Sequence, residues 1–302
     1  MDNLRKKVIV FGGNGFIGSN LISYLVGKNY SVTAFVRDRE RAKNLWLLPN
    51  IDFFEYKNSI NSINKNLTQG DIVVNLVGVL QSKSGDPWGP EFDEAHVKLV
   101  QNIIEAMVQK KCKKIIHISA LGCYEKAPSM YLRSKAEGEK ILINSGLDYT
   151  ILKPSVVYGP GDKFLNLFAK FHRFLPVIPL ATHDSLFQPI YVEDLVRIIY
   201  SSIIDEKEIK MTYECVGPKI FSLYDLVKIT GEECGSSKPI LPLPNWIARI
   251  QATVMEKLPG PTILSRDNLD SASVPNVASE KNEVYPLTNP TDIRTVISNY
   301  IK

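Results

Sequence analysis

Short apolar runs alternate with longer amphipathic stretches over the first half of this chain. Runs such as Val8–Phe11 have the length and composition of buried strands. The stretches between them repeat apolar residues every three or four positions, which is typical of helices that cover a sheet. This alternation predicts an α/β fold, a Rossmann-type doubly wound parallel sheet with helices on both faces. The predicted strands cover 8–11, 31–36, 51–56, 71–76, 114–119 and 149–153, and the predicted helices cover 16–28, 39–47, 91–109 and 131–144.

The pattern becomes mixed after Pro154. Ser222 and Asp225 have the spacing of a capping box, with Asp in place of the usual Glu, and predict the start of a helix. Prolines break the last quarter of the chain into short elements. The other elements predicted in this half are helices over 164–174, 192–202 and 246–258 and an extended piece over 188–191.

This change of pattern predicts two domains. Residues 1–155 form a Rossmann domain whose sheet is completed by parts of 186–216. Residues 156–302 form a smaller mixed lobe for a substrate or a partner, with a proline-rich C-terminal segment. We expect this lobe to pack at the carboxyl edge of the sheet, where open α/β sheets bind their ligands.

Composition and charge mainly exclude other classes of protein. The chain has 302 residues, 44% of them apolar, and a net charge of +4 that is spread without the basic stripe of a nucleic-acid-binding protein. Four widely spaced cysteines form no CxxC pair, so we expect neither a metal site nor a disulfide framework. There is no apolar run of about 18 residues to span a membrane, and a strand that starts at Val8 leaves no room for a targeting peptide. We expect a cytoplasmic protein, with peripheral attachment to the inner face of the membrane left open.

A glycine-rich turn separates the first predicted strand from the first predicted helix. This order of elements lets backbone N–H groups approach a pyrophosphate at the helix N-terminus. It predicts that a dinucleotide is a partner of the chain and makes 1–155 the dinucleotide-binding domain. Gly78, just beyond the strand predicted over 71–76, is assigned to the same cofactor site. The turn itself reads Gly12-Gly13-Asn14-Gly15-Phe16-Ile17-Gly18.

The end of the second predicted strand bears on the choice between the two nicotinamide dinucleotides. An acidic residue there would bind the adenosine ribose and repel a 2′-phosphate, but this position holds Val36. Arg37 follows, and a guanidinium offers forked donors to a phosphate. The sequence therefore favours NADP(H) over NAD(H). In the alternative interpretation Arg37 is solvated and Asp38 serves the ribose.

Tyr131 and Lys135 are four residues apart in a predicted helix, so their side chains share a face. A nearby ammonium group lowers the pKa of a phenol from about 10, which would let Tyr131 act as an acid or base near neutral pH. YxxxK is a common pattern, but here it follows a predicted strand that ends in Ser119 and lies well beyond the glycine turn. Its position makes the pair a strong candidate for acid–base chemistry.

Together these motifs resemble the short-chain dehydrogenase/reductase superfamily, in its extended or atypical branch. Three stretches within them are similar to the NAD(P)-binding accessory subunit (alpha subcomplex subunit 9 type) of mitochondrial complex I and to its bacterial relatives. The superfamily resemblance rests on the glycine turn, Tyr131–Lys135, Lys153–Asp162 and Tyr191–Asp194, and the narrower one on 131–140, 162–174 and 188–192.

The resemblance implies a Rossmann-type sheet with NADP(H) across its edge. It implies that Tyr131 donates or accepts a proton, that Lys135 holds the nicotinamide ribose, and that Pro154 lies near the nicotinamide. Ser119 joins the tyrosine and lysine as a candidate catalytic residue. The chain departs from the pattern at Ala120, where the catalytic hydroxyl of an active member is expected. Loss of one such donor can cost roughly a hundredfold in rate.

Three functional hypotheses follow. The first is an NADP(H)-binding accessory or assembly factor, or a weakly active oxidoreductase, partnered with a protein of respiratory complex I or of quinone metabolism. Ala120 and the narrower resemblance favour it. The second is an active NADP-dependent reductase, epimerase or dehydratase that acts on a small carbonyl compound or a nucleotide sugar, favoured by the Tyr131–Lys135 pair. The third is an NADP(H)-sensing regulator with a protein partner.

Other polar and amphipathic features have structural interpretations. His117 lies inside a predicted strand and is expected to be a satisfied core or sheet-surface histidine. Glu193 and Asp194 stand where a helix begins, and acidic residues stabilise helix N-termini. The apolar face of the helix predicted over 246–258 is expected to be core, with a membrane-surface or partner-binding role as the alternative.

Overall fold

The computed structural model describes residues 7–207, 209–257, 264–280 and 282–301. The strands are β1 (Lys7–Phe11), β2 (Ser31–Val36), β3 (Ile51–Glu55), β4 (Ile72–Asn75), β5 (Lys114–Ile118), β6 (Tyr149–Pro154), β7 (Val157–Tyr158), β8 (Ile178–Leu180), β9 (Leu186–Phe187), β10 (Ile190–Tyr191), β11 (Met211–Cys215), β12 (Phe221–Ser222), β13 (Ile240–Pro242) and β14 (Glu283–Val284). The α-helices are α1 (Phe16–Gly27), α2 (Ile60–Ile63), α3 (Pro90–Phe92), α4 (Leu99–Lys110), α5 (Met130–Ile143), α6 (Phe164–Phe174), α7 (Val192–Ile204), α8 (Leu223–Glu233), α9 (Asn245–Met255), α10 (Arg266–Ala272) and α11 (Ile293–Val296).

The large sheet has the strand order β14-β11-β6-β5-β4-β1-β2-β3. β1 pairs in parallel with both β2 and β4, so that Ile9 lies opposite Thr33 and Val73. The parallel ladder continues to β3 on one side and to β5 and β6 on the other. The strand order reverses between β1 and β4, which is where such sheets leave a crevice beyond their carboxyl ends. The predicted Rossmann-type fold is confirmed.

Apolar strands of this kind form because they are covered on both faces. Val8–Phe11 is completely buried. On one face, Ile9 and Phe11 belong to a core cluster that also contains Ile103 and Met107 of α4. Burial of each such side chain contributes about 1.5–3 kcal/mol, so this cluster holds the carboxyl edge of the sheet in a fixed place.

The structure divides into two compact units, and the first comprises 7–120, 134–153 and 196–213. One prediction in it was wrong, because the helix expected over 39–47 is a short 3₁₀ turn, Glu40–Leu45. Only Ala42 and Leu45 of this turn are buried, and Leu47 is 95% exposed. The stretch therefore lacks the apolar stripe that would stabilise a longer helix.

The helix predicted over 91–109 is present but irregular. It starts as α3, continues as a π-helical stretch over Asp93–Lys98, and becomes α4. π-Helical insertions are rare and occur often at functional sites. This one carries His96, which is buried.

The second unit comprises 121–133, 154–195 and 214–301. α6 and α8 pack together over Phe168 and Val227. The predicted capping box is confirmed at the start of α8, where the Ser222 hydroxyl and the Asp225 carboxylate each accept the other's backbone N–H at 3.1 Å. Small ribbons complete the unit: β7 with β10, β8 with β13, and β9 with β12.

The helix predicted over 246–258 is α9, which ends at Met255. Leu258 lies outside the described residues. Ala248 and Ala252 face a small core cluster, as expected for its apolar face. Trp246, Ile250 and Val254, however, are more than half exposed. In the part of the chain that the structure describes, no helix is both long and apolar enough to cross a bilayer.

Candidate functional site: a dinucleotide cradle

The glycine turn joins β1 to α1 at the carboxyl edge of the sheet. Gly12 has a left-handed backbone, with φ +77°, and donates its N–H to the Phe35 carbonyl at 3.2 Å. Gly15 precedes α1 as its N-cap residue. Within the described residues no side chain caps α1, and its first turn holds no acidic residue. The helix N-terminus therefore presents its N–H groups and its positive dipole end without a competing carboxylate.

Two other glycines let the turn fold back on itself. A Cβ at Gly13 would lie 2.7 Å from Cδ1 of Ile22, and a Cβ at Gly18 would lie 2.8 Å from Cα of Gly13. The contact at Gly18 is with backbone and cannot be relieved, so this position requires glycine. The contact at Gly13 is with the end of the Ile22 side chain, which would have to move to admit a Cβ. The cradle fits the pyrophosphate of a dinucleotide, which needs backbone groups at short range and a helix N-terminus.

A cavity of about 540 Å³ opens beside this turn, within the first unit. Its walls include Arg37 at the end of β2, Tyr56 and Asn58 after β3, and Val77 after β4. Val77 connects the cavity to the turn, because a Cβ on Gly12 would lie 3.3 Å from its backbone nitrogen. A cavity of this size is in the range of small-molecule and cofactor sites.

Arg37 and Asp38 occupy different environments. Arg37 is exposed and lines the cavity. Asp38 instead accepts the backbone N–H of Glu40 at 3.0 Å and pairs with Arg41 at 3.2 Å. Its carboxylate is thus engaged in starting the 3₁₀ turn. In this structure the Asp38 carboxylate binds groups of its own connection, whereas the alternative interpretation requires it to bind the ribose.

Gly78 and Lys135 lie close together at the carboxyl edge of the sheet. A Cβ on Gly78 would lie 3.5 Å from Nζ of Lys135. The Lys135 ammonium is buried and donates to the carbonyl of Ile118, the last residue of β5, at 2.9 Å. The first unit therefore brings together the glycine turn, Arg37, Gly78 and Lys135 along one sheet edge.

Tyr131 lies one turn before Lys135 on α5, as predicted, and its pKa differs from the expectation. Burial raises the pKa of the Tyr131 phenol above its usual value of 10, and the Cys123 thiol raises it further. The predicted lowering was wrong for this structure, because burial disfavours the charged phenolate. Tyr131 therefore carries its proton at neutral pH.

The remaining predicted residues lie at the ends of neighbouring strands. Ser119 is buried directly after β5, and its N–H donates to the Leu152 carbonyl at 2.8 Å. Ala120, next to it, is also buried. Pro154 ends β6, and its carbonyl accepts the Leu121 N–H at 3.2 Å.

Sequence analysis missed the residues that hold the start of α5. The Asp267 carboxylate, from α10, accepts the N–H of Met130 at 2.6 Å and the N–H of Tyr131 at 3.2 Å. The Ser129 hydroxyl accepts the Leu132 N–H at 3.2 Å. Asp267 is 136 positions from Tyr131, so no local spacing in the sequence links the two.

From the sequence, His117 is expected to have hydrogen-bond partners for its ring nitrogens. In the described residues only one of the two nitrogens has such a partner. Nδ1 of His117 lies 3.1 Å from the Asn75 amide nitrogen, while Nε2 is buried without a hydrogen-bond partner in the described residues. Burial lowers the pKa of His117 to about 3, and the nearby Lys135 charge lowers it further. Both effects keep the ring neutral.

A parallel sheet with a glycine cradle and an adjoining cavity at its switch point defines a Rossmann-type dinucleotide-binding protein. Residues 12–163 match the protein-family model described as NAD(P)H-binding. The chain belongs to this NAD(P)H-binding family.

Two proteins that are related in sequence share one name. NADH dehydrogenase (ubiquinone) 1 alpha subcomplex subunit 9 of Arabidopsis thaliana mitochondria is 27% identical over 292 residues, which cover 90% of this chain and 70% of the relative. The Mus musculus protein of the same name is 30% identical over 226 residues, which cover 72% of this chain and 59% of the relative. The chain thus spans about six to seven tenths of these relatives, and the resemblance inferred from the sequence is confirmed.

Solved structures show the same fold. UDP-glucuronic acid 4-epimerase of Bacillus cereus, in complex with UDP-glucuronic acid and NAD, has a TM-score of 0.66 at 20% identity, covering 90% of this chain and 95% of the epimerase. UDP-glucose 4-epimerase of Thermus thermophilus, in complex with NAD, has a TM-score of 0.64 at 19% identity, covering 90% and 94%. At this identity the likeness extends to the fold alone.

Proposed function

We propose that this protein binds NADP(H) and holds it largely as a structural cofactor, as an accessory or assembly subunit of a respiratory complex of the complex I type or of quinone metabolism. The observation that carries the proposal is the cradle formed by the glycine turn together with the adjoining 540 Å³ cavity, which has Arg37 in its wall. The pyrophosphate would rest on the N-terminus of α1, and the adenosine half would enter the cavity.

Preference for the 2′-phosphate is supported by the contrast between Arg37 and Asp38. In the described part of the chain Arg37 forms no ion pair, whereas Asp38 is committed to Arg41 and to the Glu40 N–H. A guanidinium at the cavity wall attracts a phosphate, and Asp38 is not among the residues that line this cavity. NADP(H) is therefore favoured over NAD(H).

The nicotinamide half would be served by Lys135, Tyr131, Ser119 and Pro154, in the roles implied by the family resemblance. Weak turnover is supported by Ala120, which cannot donate a hydrogen bond to a substrate oxygen. It is also supported by the raised pKa of Tyr131, which makes loss of the phenolic proton unfavourable at neutral pH. Lys135 and Tyr131 would then mainly bind the ribose.

The proposed partner follows from the names of the relatives, which are subunits of mitochondrial NADH dehydrogenase. An accessory subunit needs no transmembrane helix of its own, because it can attach through other subunits. We propose a place on the cytoplasmic side, either free or peripherally attached to the inner face of the membrane.

The test is to purify the protein without added nucleotide, denature it, and identify the released compound by mass spectrometry. We expect close to one NADP(H) per chain. An empty protein that binds NADPH reversibly would contradict a structural cofactor and support a turnover enzyme. Release of NAD(H) alone would refute the assignment of Arg37.

A second candidate is an NADP-dependent reductase, epimerase or dehydratase acting on a small carbonyl compound or a nucleotide sugar. It is supported by the Tyr131–Lys135 spacing on α5 and by a cavity of about 350 Å³ in the second unit, whose walls include Asp184 and Arg249. Net oxidation of NADPH by a carbonyl compound, or conversion of a nucleotide sugar to its epimer or dehydration product, would favour this function over the first if Tyr131→Phe abolished it.

A further inference from the structure

His96 forms hydrogen bonds to two elements, the loop after β4 and helix α5. Its Nε2 accepts the backbone N–H of Val79 at 3.1 Å, and its Nδ1 lies 2.8 Å from the Ser134 hydroxyl. Because Nε2 accepts a proton donor, Nδ1 carries the ring proton and donates to Ser134. One imidazole thus makes two directed hydrogen bonds to two separate elements.

Both elements belong to the proposed cofactor site. Val79 lines the cavity assigned to the adenosine half, and Ser134 directly precedes Lys135. Gly78 lies between His96 and Lys135, because a Cβ there would be 3.8 Å from Nε2 of His96 and 3.5 Å from Nζ of Lys135. The histidine therefore sits where the two halves of the site meet.

The surroundings hold His96 firmly and in its neutral form. Its ring stacks on Phe92 with centroids 5.5 Å apart. Gly138 lets α5 approach so closely that any Cβ there would collide with the His96 carbonyl. Burial lowers the pKa of His96 to about 2, and the positive charge of Lys135 lowers it further. A protonated ring would lose the acceptor that binds Val79.

We propose that His96 is a positioning residue for the dinucleotide, which sets the β4 loop through Nε2 and the Lys135 segment of α5 through Nδ1. This inference rests on the proposed function, because it assumes that the adenosine half lies against the loop and the nicotinamide ribose against Lys135. His96 itself need not touch the cofactor.

The effects of the two His96 hydrogen bonds can be separated by substitution. A glutamine places its amide near the position of Nε2, so His96→Gln keeps an acceptor for Val79 and loses the donor to Ser134. An asparagine reaches only the position of Nδ1, so His96→Asn keeps the donor and loses the acceptor. His96→Leu loses both.

His172 offers a matched control in the second unit. It is fully buried and also makes two hydrogen bonds, to the Val227 carbonyl at 2.8 Å and from the Lys238 N–H at 3.1 Å. The same three substitutions at His172 should lower thermal stability to a similar extent. They should change ligand affinity by less than about twofold, because they remove no contact near the proposed site.

The experiment first removes bound nucleotide from the purified protein and then measures the dissociation constants of NADPH and of adenosine 2′,5′-bisphosphate, which fills only the adenosine half. For His96→Gln we expect NADPH binding about tenfold weaker, as for the loss of one buried hydrogen bond, with the bisphosphate little changed. For His96→Asn both ligands should weaken by a similar factor. His96→Leu should combine both effects.

Two results would overturn the inference. Equal losses for the two ligands in His96→Gln would indicate a general structural role, and unchanged affinities in all three variants would remove any role. Failure of the unsubstituted protein to bind NADPH would instead refute the proposed function, and this inference with it. The two failures are therefore distinguishable.

Discussion

Arg37 and Arg41 are exposed arginines on the same connection, yet only Arg37 lines the cavity. Arg41 pairs with Asp38 on the surface. Surface ion pairs of this kind contribute little, because water screens them. At the scale of single residues, position beside the cavity is what distinguishes Arg37 from Arg41 as the proposed phosphate ligand.

We predict that Arg37→Gln weakens NADPH binding about tenfold or more, since it removes a charged donor to the 2′-phosphate. NADH binding should stay the same, because NADH lacks that phosphate. Isothermal titration of both nucleotides into protein from which bound nucleotide has been removed measures the difference, with Arg41→Gln as the matched control. Equal weakening by the two substitutions would argue against a specific phosphate contact at Arg37.

α5 depends on a distant carboxylate for its first turn. Asp267 accepts two of the four N–H groups that a helix start leaves unsatisfied, and Ser129 accepts a third. These groups hold the turn that carries Tyr131. At the scale of elements, the first turn of α5 thus depends on α10, which the sequence pattern did not predict.

We predict that Asp267→Ala lowers the free energy of unfolding by about 1 kcal/mol, the usual cost of losing a helix cap. Hydrogen exchange of the amides of residues 130–132 should speed up, because they lose their acceptor. Asp270→Ala on the same helix removes a surface pair with Arg249 and should leave those amides unchanged. Unaltered exchange in Asp267→Ala would show that α5 does not depend on this cap.

Buried neutral histidines link the stability of the protein to pH. His96 and His117 have folded-state pKa values of about 2 and about 3, well below about 6.5 in an unfolded chain. Below pH 6.5 the unfolded chain therefore binds protons that the native state does not. Stability must fall as the pH falls through this window, and above it neither group contributes.

We predict that the free energy of unfolding falls by up to about 1.4 kcal/mol per pH unit from each histidine as the pH drops below 6.5. Denaturant titrations at pH 7, 6 and 5 measure the slope, and they avoid the range where carboxylates protonate. His117→Asn should reduce the slope by the contribution of one histidine. An identical slope in His117→Asn would refute the assignment.

Local pattern was sufficient for the regular elements. Periodicity predicted the strands from β1 to β6 and the helices α1, α5 and α6 with only small errors at their ends. The errors arose where few contacts stabilise a segment, as in the 3₁₀ turn at Glu40–Leu45, or where elements are short, as in α2 and α11. Short elements gain their stability from tertiary packing, which spacing along the chain does not encode.

By itself, the sequence determined the Rossmann-type sheet, the glycine turn and the membership of the NAD(P)H-binding family, because alternating apolar strands and a strand–glycine–helix order depend on neighbouring residues. Only the tertiary structure decided the commitment of Asp38 to Arg41, the two contacts of His96, the cap from Asp267 and the direction of the Tyr131 pKa shift. Each of these depends on burial and on which side chains meet in space. Desolvation and hydrogen bonding follow from that geometry, and residue spacing along the chain does not contain it.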